Sequence, residues 1–306
     1  MVHEHTITLR GPAAETAGLS AHLLRDLFDV LVQGAQQSLR FRLEGRSSPS
    51  RSPPAWLRDA ADFAMVDVAR SEFARTFRLE AQSLVDLMPD RFRQAKLFDD
   101  LDPRRSPLEL FEVALEQALA GNDDSDAFDH GLLKTCAQFR AVLGAGLDSV
   151  EIKNGRTVVV DEVSVAQAVR LSKVDYPSRK VRLAGLLETI SYSDCRFSLR
   201  LDNGTTIVGT AKDLGTEALR DAFGRKVVVT GTADFRPSGK LLRLNAESVD
   251  DATTNDLQIF TSIPRPLVGP AVVERERERG GLAAIAGRWP GDESIEQLME
   301  QLKELA

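Results

Sequence analysis

The 306-residue sequence predicts an α+β protein. The expected plan is an N-terminal α+β region of unknown role over residues 1–175, a small five-stranded β-barrel over 176–250, and a linker with a C-terminal amphipathic helix over 251–306. Three observations carry this expectation. Strand-like alternation and helix-like spacing interleave through the first 175 residues, with a hairpin signal that points to antiparallel pairing. After Tyr176-Pro177 the order becomes three strands, a helix and two strands. Periodicity then lapses and returns only as one apolar stripe at the C-terminus. No internal repeat is present.

TITLR (6–10) alternates and reads as a strand. In LSAHLLRDLFDVL (19–31), Leu19, Leu23, Leu24, Leu27, Phe28 and Leu31 recur at helical spacing, with Ser20 as the cap. SLRFRL (38–43) alternates again and reads as a second strand. RSSPSRSPP (46–54) is a loop, since three prolines and four serines neither pack nor pair. DFAMVDV (62–68) and TFRLEA (76–81) read as further strands. PLELFEVALEQAL (107–119) predicts a helix with Ser106 as N-cap, Pro107 at its first position and Gly121 as its stop. A second helix is expected through about 127–143, and another over 164–171. Between them, Asn154-Gly155 inside VEIKNGRTVVV (150–160) marks a hairpin.

In the barrel, KVRLAGLLETI (180–190) is the first strand. RFSLRL (196–201) and TTIVGT (205–210) flank the turn DNG (202–204), and a short helix follows over 214–223. KVVVTGTAD (226–234) and LLRLNAE (241–247) flank the turn RPSG (236–239). This order resembles the oligonucleotide/oligosaccharide-binding (OB) fold. That resemblance implies a ligand across strands two and three, flanked by the loop after strand one and the loop between strands four and five. The corresponding residues are Tyr192, Arg236 and Lys240, with Lys212 near the end of strand three. An aromatic to stack a base and cations for phosphates suit single-stranded nucleic acid. Phe197 and Leu201 alternate with Ser198 and Arg200 as a barrel wall does, so a structural or protein-contact module stands beside that reading.

Net charge is −7, from 39 basic and 46 acidic residues, which argues against nucleic-acid binding over the whole surface. Residues 177–250 form the one basic block, with 12 basic against 9 acidic residues; 101–176 hold 8 against 13. Cys136 and Cys195 lack metal or redox spacing and read as two buried thiols in a reducing cytosol. The N-terminus has no signal-peptide pattern and no stretch reaches membrane-span length, so a cytoplasmic protein is expected. Phosphate-loop, dinucleotide, HExxH and GxSxG motifs are missing, and neither enzyme activity nor a cofactor or metal is expected. His3-x-His5 reads as a frayed terminus with solvated histidines, and His22 as a surface or boundary residue. NDDSDAFD (122–129) lacks the glycine and closing glutamate of a calcium loop; its acids read as helix-capping groups.

Residues 251–281, with SIPRPLVGP and ERERER, read as a linker. Beyond it, Asp292 or Ser294 caps a helix in which Ile295, Leu298, Met299, Leu302 and Leu305 form one apolar stripe. A helix of about 12 residues is marginal alone in water and must dock. Its dock is either the chain's own body or a partner's groove, and the non-packing run upstream favours the partner, with Trp289 as an aromatic anchor.

The tail GRWPGDESIEQLMEQLKELA, with Arg288, Trp289 and Pro290 before the stripe, resembles the C-terminal tails of antitoxin-type proteins paired with PIN-domain toxins of the VapBC kind. The likeness covers about 20 of 306 residues. It implies a protein that binds and inhibits a Mg²⁺-dependent PIN ribonuclease. An arginine would be directed at the toxin's carboxylates, Arg288 first and Arg279 second, with the apolar stripe in a groove between toxin helices. The chain departs from that family in its length and in lacking a recognisable N-terminal DNA-binding module, which leaves autoregulation outside the expectation.

Overall fold

The first strand behaves as its alternation dictates. In β1 (Val2–Arg10), His5, Ile7 and Leu9 are buried while Glu4 and Arg10 face solvent. β1 is the middle of an antiparallel sheet with β2 (Phe63–Arg70), β3 (Ala74–Gln82), β4 (Ser149–Asn154) and β5 (Arg156–Asp161), in the order β2-β3-β1-β4-β5. Ile7 pairs with Phe77 on one side and Ile152 on the other, so the apolar rows coincide on one face. The computed structural model describes residues 1–48, 55–89, 101–191, 195–211 and 214–266. The chain divides into two units, Met1–Leu267 and Val268–Ala306.

Helices cover the apolar face. They are α1 (Pro12–Glu15), α2 (Ala21–Glu44), α3 (Ala55–Ala60), α4 (Leu84–Leu87), α5 (Pro107–Leu119), α6 (His130–Ala137), α7 (Phe139–Gly144) and α8 (Glu162–Ser172). One core joins Ile7, Leu9, Phe77 and Ile152 to Leu27, Leu31, Phe111, Leu115 and Phe139. The Ser106 cap starts α5 as the sequence predicts, whereas the helix expected over 164–171 begins earlier, at Glu162, with Asp161 as its cap. Ser106 and Glu109 form a reciprocal capping box on α5, and Asp161 with Ser164 does the same on α8. The helix expected over 127–143 is two helices. Asp129 caps α6 through the Leu132 amide, and Gln138 N–H turns back to the Thr135 carbonyl, so the first helix closes before the second begins.

SLRFRL, expected as a strand, is instead the end of α2. Ser38, Leu39, Arg40, Phe41 and Leu43 are all buried, because this end is enclosed on several sides. Leu39 and Leu43 enter a second core with Leu57, Leu84, Leu101 and Leu110, while Phe41 lies under Arg243 of the barrel. Burial on all sides erases the 3.6-residue period, and the accidental alternation then mimics a strand. Residues 2–5 are also not frayed, since β1 pairs with β3 from its first residue.

The second sheet contains β6 (Arg179–Ser191), β7 (Arg196–Arg200), β8 (Thr206–Thr210), β9 (Lys226–Phe235) and β10 (Leu241–Asp251), with α9 (Gly215–Ala222) between β8 and β9. Pairings run β10-β8-β7-β6-β9 and return to β10, and the β8–β10 contact is parallel. This connectivity follows the element order read from the sequence. Phe197, Leu199 and Leu201 line the interior with Leu183, Val229 and Leu244, the wall pattern their alternation implied. At Gly231 an added Cβ would meet the Asn245 carbonyl at 2.1 Å, so the close crossing of β9 and β10 requires glycine.

The start of the expected linker packs on the barrel. After β10, α10 (Asp256–Ile259) brings Phe260 under the Arg182 guanidinium, 4.7 Å from the ring centre. Ile263 joins the barrel core, and the Arg265 carbonyl accepts from Arg179 at 2.8 Å.

The barrel meets the helical layer at the C-terminus of α2. Gly45 ends the helix with φ 83° and donates its N–H to the Phe41 carbonyl at 2.8 Å. A Cβ on Gly45 would fall on the Arg243 guanidinium, which lies 5.1 Å from the centre of the Phe41 ring. Gly45→Ala is expected to destabilise the protein by about 1–3 kcal/mol, from the left-handed backbone and the displaced arginine. Equilibrium urea unfolding measures this.

Candidate functional site

The residues proposed from sequence fall into two groups. Arg288, Trp289, Pro290, Ile295, Leu298, Met299, Leu302 and Leu305, like Arg279, Tyr192 and Lys212, lie outside the described residues. Arg236 and Lys240 are described, in the turn between β9 and β10. That turn is held against the acidic loop before α6. Lys240 Nζ lies 2.5 Å from Asp124 Oδ2, and Arg236 Nη1 donates to the Asp124 carbonyl at 2.5 Å and approaches Oδ1 at 3.3 Å. Ser238 adds its hydroxyl to Asp124 Oδ1 at 3.1 Å and its N–H to the Asp123 carbonyl at 3.0 Å. The Lys240 ammonium holds the Asp124 carboxyl below the usual carboxylate range. The two cations expected to meet phosphates therefore meet a carboxylate of the same chain. Asp129 alone caps α6, and the surplus acids of NDDSDAFD were the available signal for this second task.

Beside this clamp runs a cleft of ≈ 620 Å³ between the barrel and the helical layer. Its barrel wall is a chain of satisfied polar groups. Thr210 donates to Asn245, Asn245 and Ser178 donate to Asp234, and Thr232 and Lys180 donate to Glu247, all at 2.6–3.0 Å. On the helical wall Asp129 accepts from the Ser47 hydroxyl and backbone N–H at 2.5 and 2.7 Å. His130 Nε2 lies 3.4 Å from Asp175 Oδ2, while Nδ1 is buried without a protein partner. Burial pushes the His130 imidazole below its usual range; Asp175 opposes this and Lys134 reinforces it. Arg243, close to Asp129 and Asp234, is pushed down to about 10 by burial and by the neighbouring Arg196. The carboxylates of the cleft thus already accept hydrogen bonds from donors of the chain itself.

One buried constellation has the order nucleophile, base, acid. Ser106 Oγ is 3.3 Å from His5 Nε2, and His5 Nδ1 is 2.6 Å from Glu112 Oε1. All three residues are at most 3% exposed, and Ser106 Oγ already accepts the Glu109 N–H. A substrate has no access there. The cluster ties β1 to the start of α5, with Asn154 and His3 contacting Glu109 at its margin. The expectation of solvated histidines fails because this pairing lies more than a hundred residues away in sequence.

Both cysteines are free. Cys136 is buried, and burial pushes its thiol well above the ordinary range. Cys195 is half-buried, not fully buried as expected. Among the described residues, no group of three or more His, Cys, Asp or Glu side chains is placed to hold a metal. No known protein family, curated protein or solved structure matches the chain.

Two outcomes test this geometry. Asp124→Asn and Lys240→Gln, made singly and together, are expected to show a coupling of about 0.2–1 kcal/mol in a denaturant double-mutant cycle. The coupling should persist above pH 3.8, the free carboxyl value, and vanish as pH falls through the lower folded value. His130 has the opposite consequence. Its folded pKa lies below the free value of 6.5, so the unfolded chain binds more protons as pH falls below 6.5, and stability drops until the folded value is passed. His130→Gln should flatten that part of a stability-against-pH profile.

Proposed function

We propose that this chain is a non-enzymatic, antitoxin-like inhibitor of a PIN-type ribonuclease. In this reading the tail covers the nuclease. Arg288 meets the carboxylates that would otherwise hold its Mg²⁺, Trp289 fills a pocket beside them, and the stripe from Ile295 to Leu305 lies in a groove. The observation that carries the reading is the division of the chain. The WPGDE segment and its amphipathic stripe fall within Val268–Ala306, and the two sheets of the other unit carry their own cores. An apolar stripe of that spacing has value only against another apolar surface. Cytoplasmic action belongs to this proposal; among the described residues no helix is long and apolar enough to cross a membrane.

The alternative, single-stranded nucleic acid along the barrel, has less support because Arg236 and Lys240 are both paired with Asp124. A phosphate backbone would have to displace that carboxylate and bear the cost of leaving it unpaired.

Co-expression with a PIN-type ribonuclease encoded beside it tests the proposal. The full chain should restore growth and co-purify with the nuclease, and a chain ending at residue 267 should do neither. Trp289→Ala should weaken binding by about 2 kcal/mol, roughly thirtyfold, in calorimetry. Equal neutralisation by the truncated chain would overturn the reading.

A further inference from the structure

The cleft between the barrel and the helical layer encloses ≈ 620 Å³. Sites for small molecules commonly span about 300–1,000 Å³, so its size suits one such ligand. The charged side chains that line it are matched unevenly. Each carboxylate of the lining is engaged by another group of the chain. Glu44 accepts from Arg40, Asp129 from Ser47, Asp234 from Ser178 and Asn245, and Glu247 from Thr232 and Lys180. Asp175 lies against His130. The lysine and the arginine of the lining, Lys134 and Arg46, are both exposed, and neither has a carboxylate partner among the described residues.

The carboxylates do not bar an anion, because cations of the chain offset them. Arg40 pairs with Glu44 and Lys180 with Glu247, while buried Arg243 lies close to Asp129 and Asp234. These three cations together with Arg46 and Lys134 equal in number the five carboxylates Glu44, Asp129, Asp175, Asp234 and Glu247. What remains unmatched in the cleft is therefore positive charge, held in a concavity whose walls focus it. The same lining offers an apolar surface. Tyr176, from the segment that leads into β6, and Phe235, at the end of β9, are both half-buried there.

We propose that this cleft binds a small organic anion, with its carboxylate or phosphate held by Arg46 and Lys134 and its apolar body laid against Tyr176 and Phe235. Charge-assisted hydrogen bonds from a guanidinium and an ammonium are the strong contacts such a head group can make. A neutral ligand would leave both cations unmatched. A cationic ligand would compete with the donors that already occupy the carboxylates. The inference concerns the folded body of the chain and is independent of the tail and its partner.

Amide-resolved NMR titration of the full-length chain with phenyl phosphate and, in parallel, with benzoate tests it. Saturable shifts are expected at Gly131, Lys134, Tyr176 and Phe235 with at least one of the two, and the tighter binder identifies the head group. Phenol, the same ring without the charge, should give no saturable shift. Arg46→Gln/Lys134→Gln should weaken binding by about tenfold or more, since each cation contributes a charged hydrogen bond. Lys240→Gln, at the neighbouring clamp, should leave binding unchanged. Absence of saturable shifts with both anions overturns the proposal, as does binding that survives the double variant or is matched by phenol. Should the double variant fail to fold, competition on the wild type decides. Inorganic phosphate must displace the bound anion, and failure to do so overturns the proposal.

Discussion

The last carbonyls of a helix have no partners within it, and the arrangement of this protein turns on how those of α2 are met. Gly45 takes the Phe41 carbonyl and Arg196, from the barrel, donates to that of Arg42. Arg243 lies over Phe41. Two cations of the second sheet thus converge on the negative end of a helix that spans the first sheet's core. The arrangement carries its own cost, since Arg243 is buried and Arg196 repels it. Packing over Phe41 and the nearby Asp129 and Asp234 offset that cost. Once the barrel is seated there, its β9–β10 turn reaches Asp124 and the polar cleft takes shape between the two layers.

Charge distribution across the chain follows from this seating. Residues 101–176 hold 8 basic against 13 acidic residues, and 177–250 hold 12 against 9. Read one block at a time, the basic excess resembles a surface for phosphates. In the folded chain the two blocks face each other at Asp124 with Lys240 and Arg236, so part of the excess is internal complementarity. Each exposed pair contributes little alone. Together with Ser238 and its backbone contact they fix where the turn lies.

Burial of polar groups marks the other rigid point. His5, Ser106 and Glu112 are enclosed, and each has a partner. An enclosed histidine or carboxylate without a partner would be costly, so the cluster allows one register between β1 and the start of α5. The contrast with β2 is direct. Near β1 even polar groups are sealed in, whereas β2 runs past the helical layer and leaves apolar side chains in water.

The α+β class, the Ser106 cap, the hairpin at Asn154-Gly155 and the barrel's element order were legible because caps, turns and alternation are decided within a few residues. For the same reason the amphipathic stripe from Ile295 to Leu305 can be read from its spacing alone. Other features depended on neighbours distant in sequence. SLRFRL is helical because the second core encloses Leu39 and Leu43 while Arg243 of the barrel covers Phe41, and His5 is buried because Glu112 and Ser106 fold over it. Arg236 and Lys240 are neutralised by a carboxylate more than a hundred residues earlier. Local sequence thus determined where elements begin, turn and end, since those choices are made by short-range hydrogen bonds and backbone geometry. Tertiary structure decided which polar groups are sealed, paired or left open, because burial and charge pairing depend on what arrives from elsewhere in the chain.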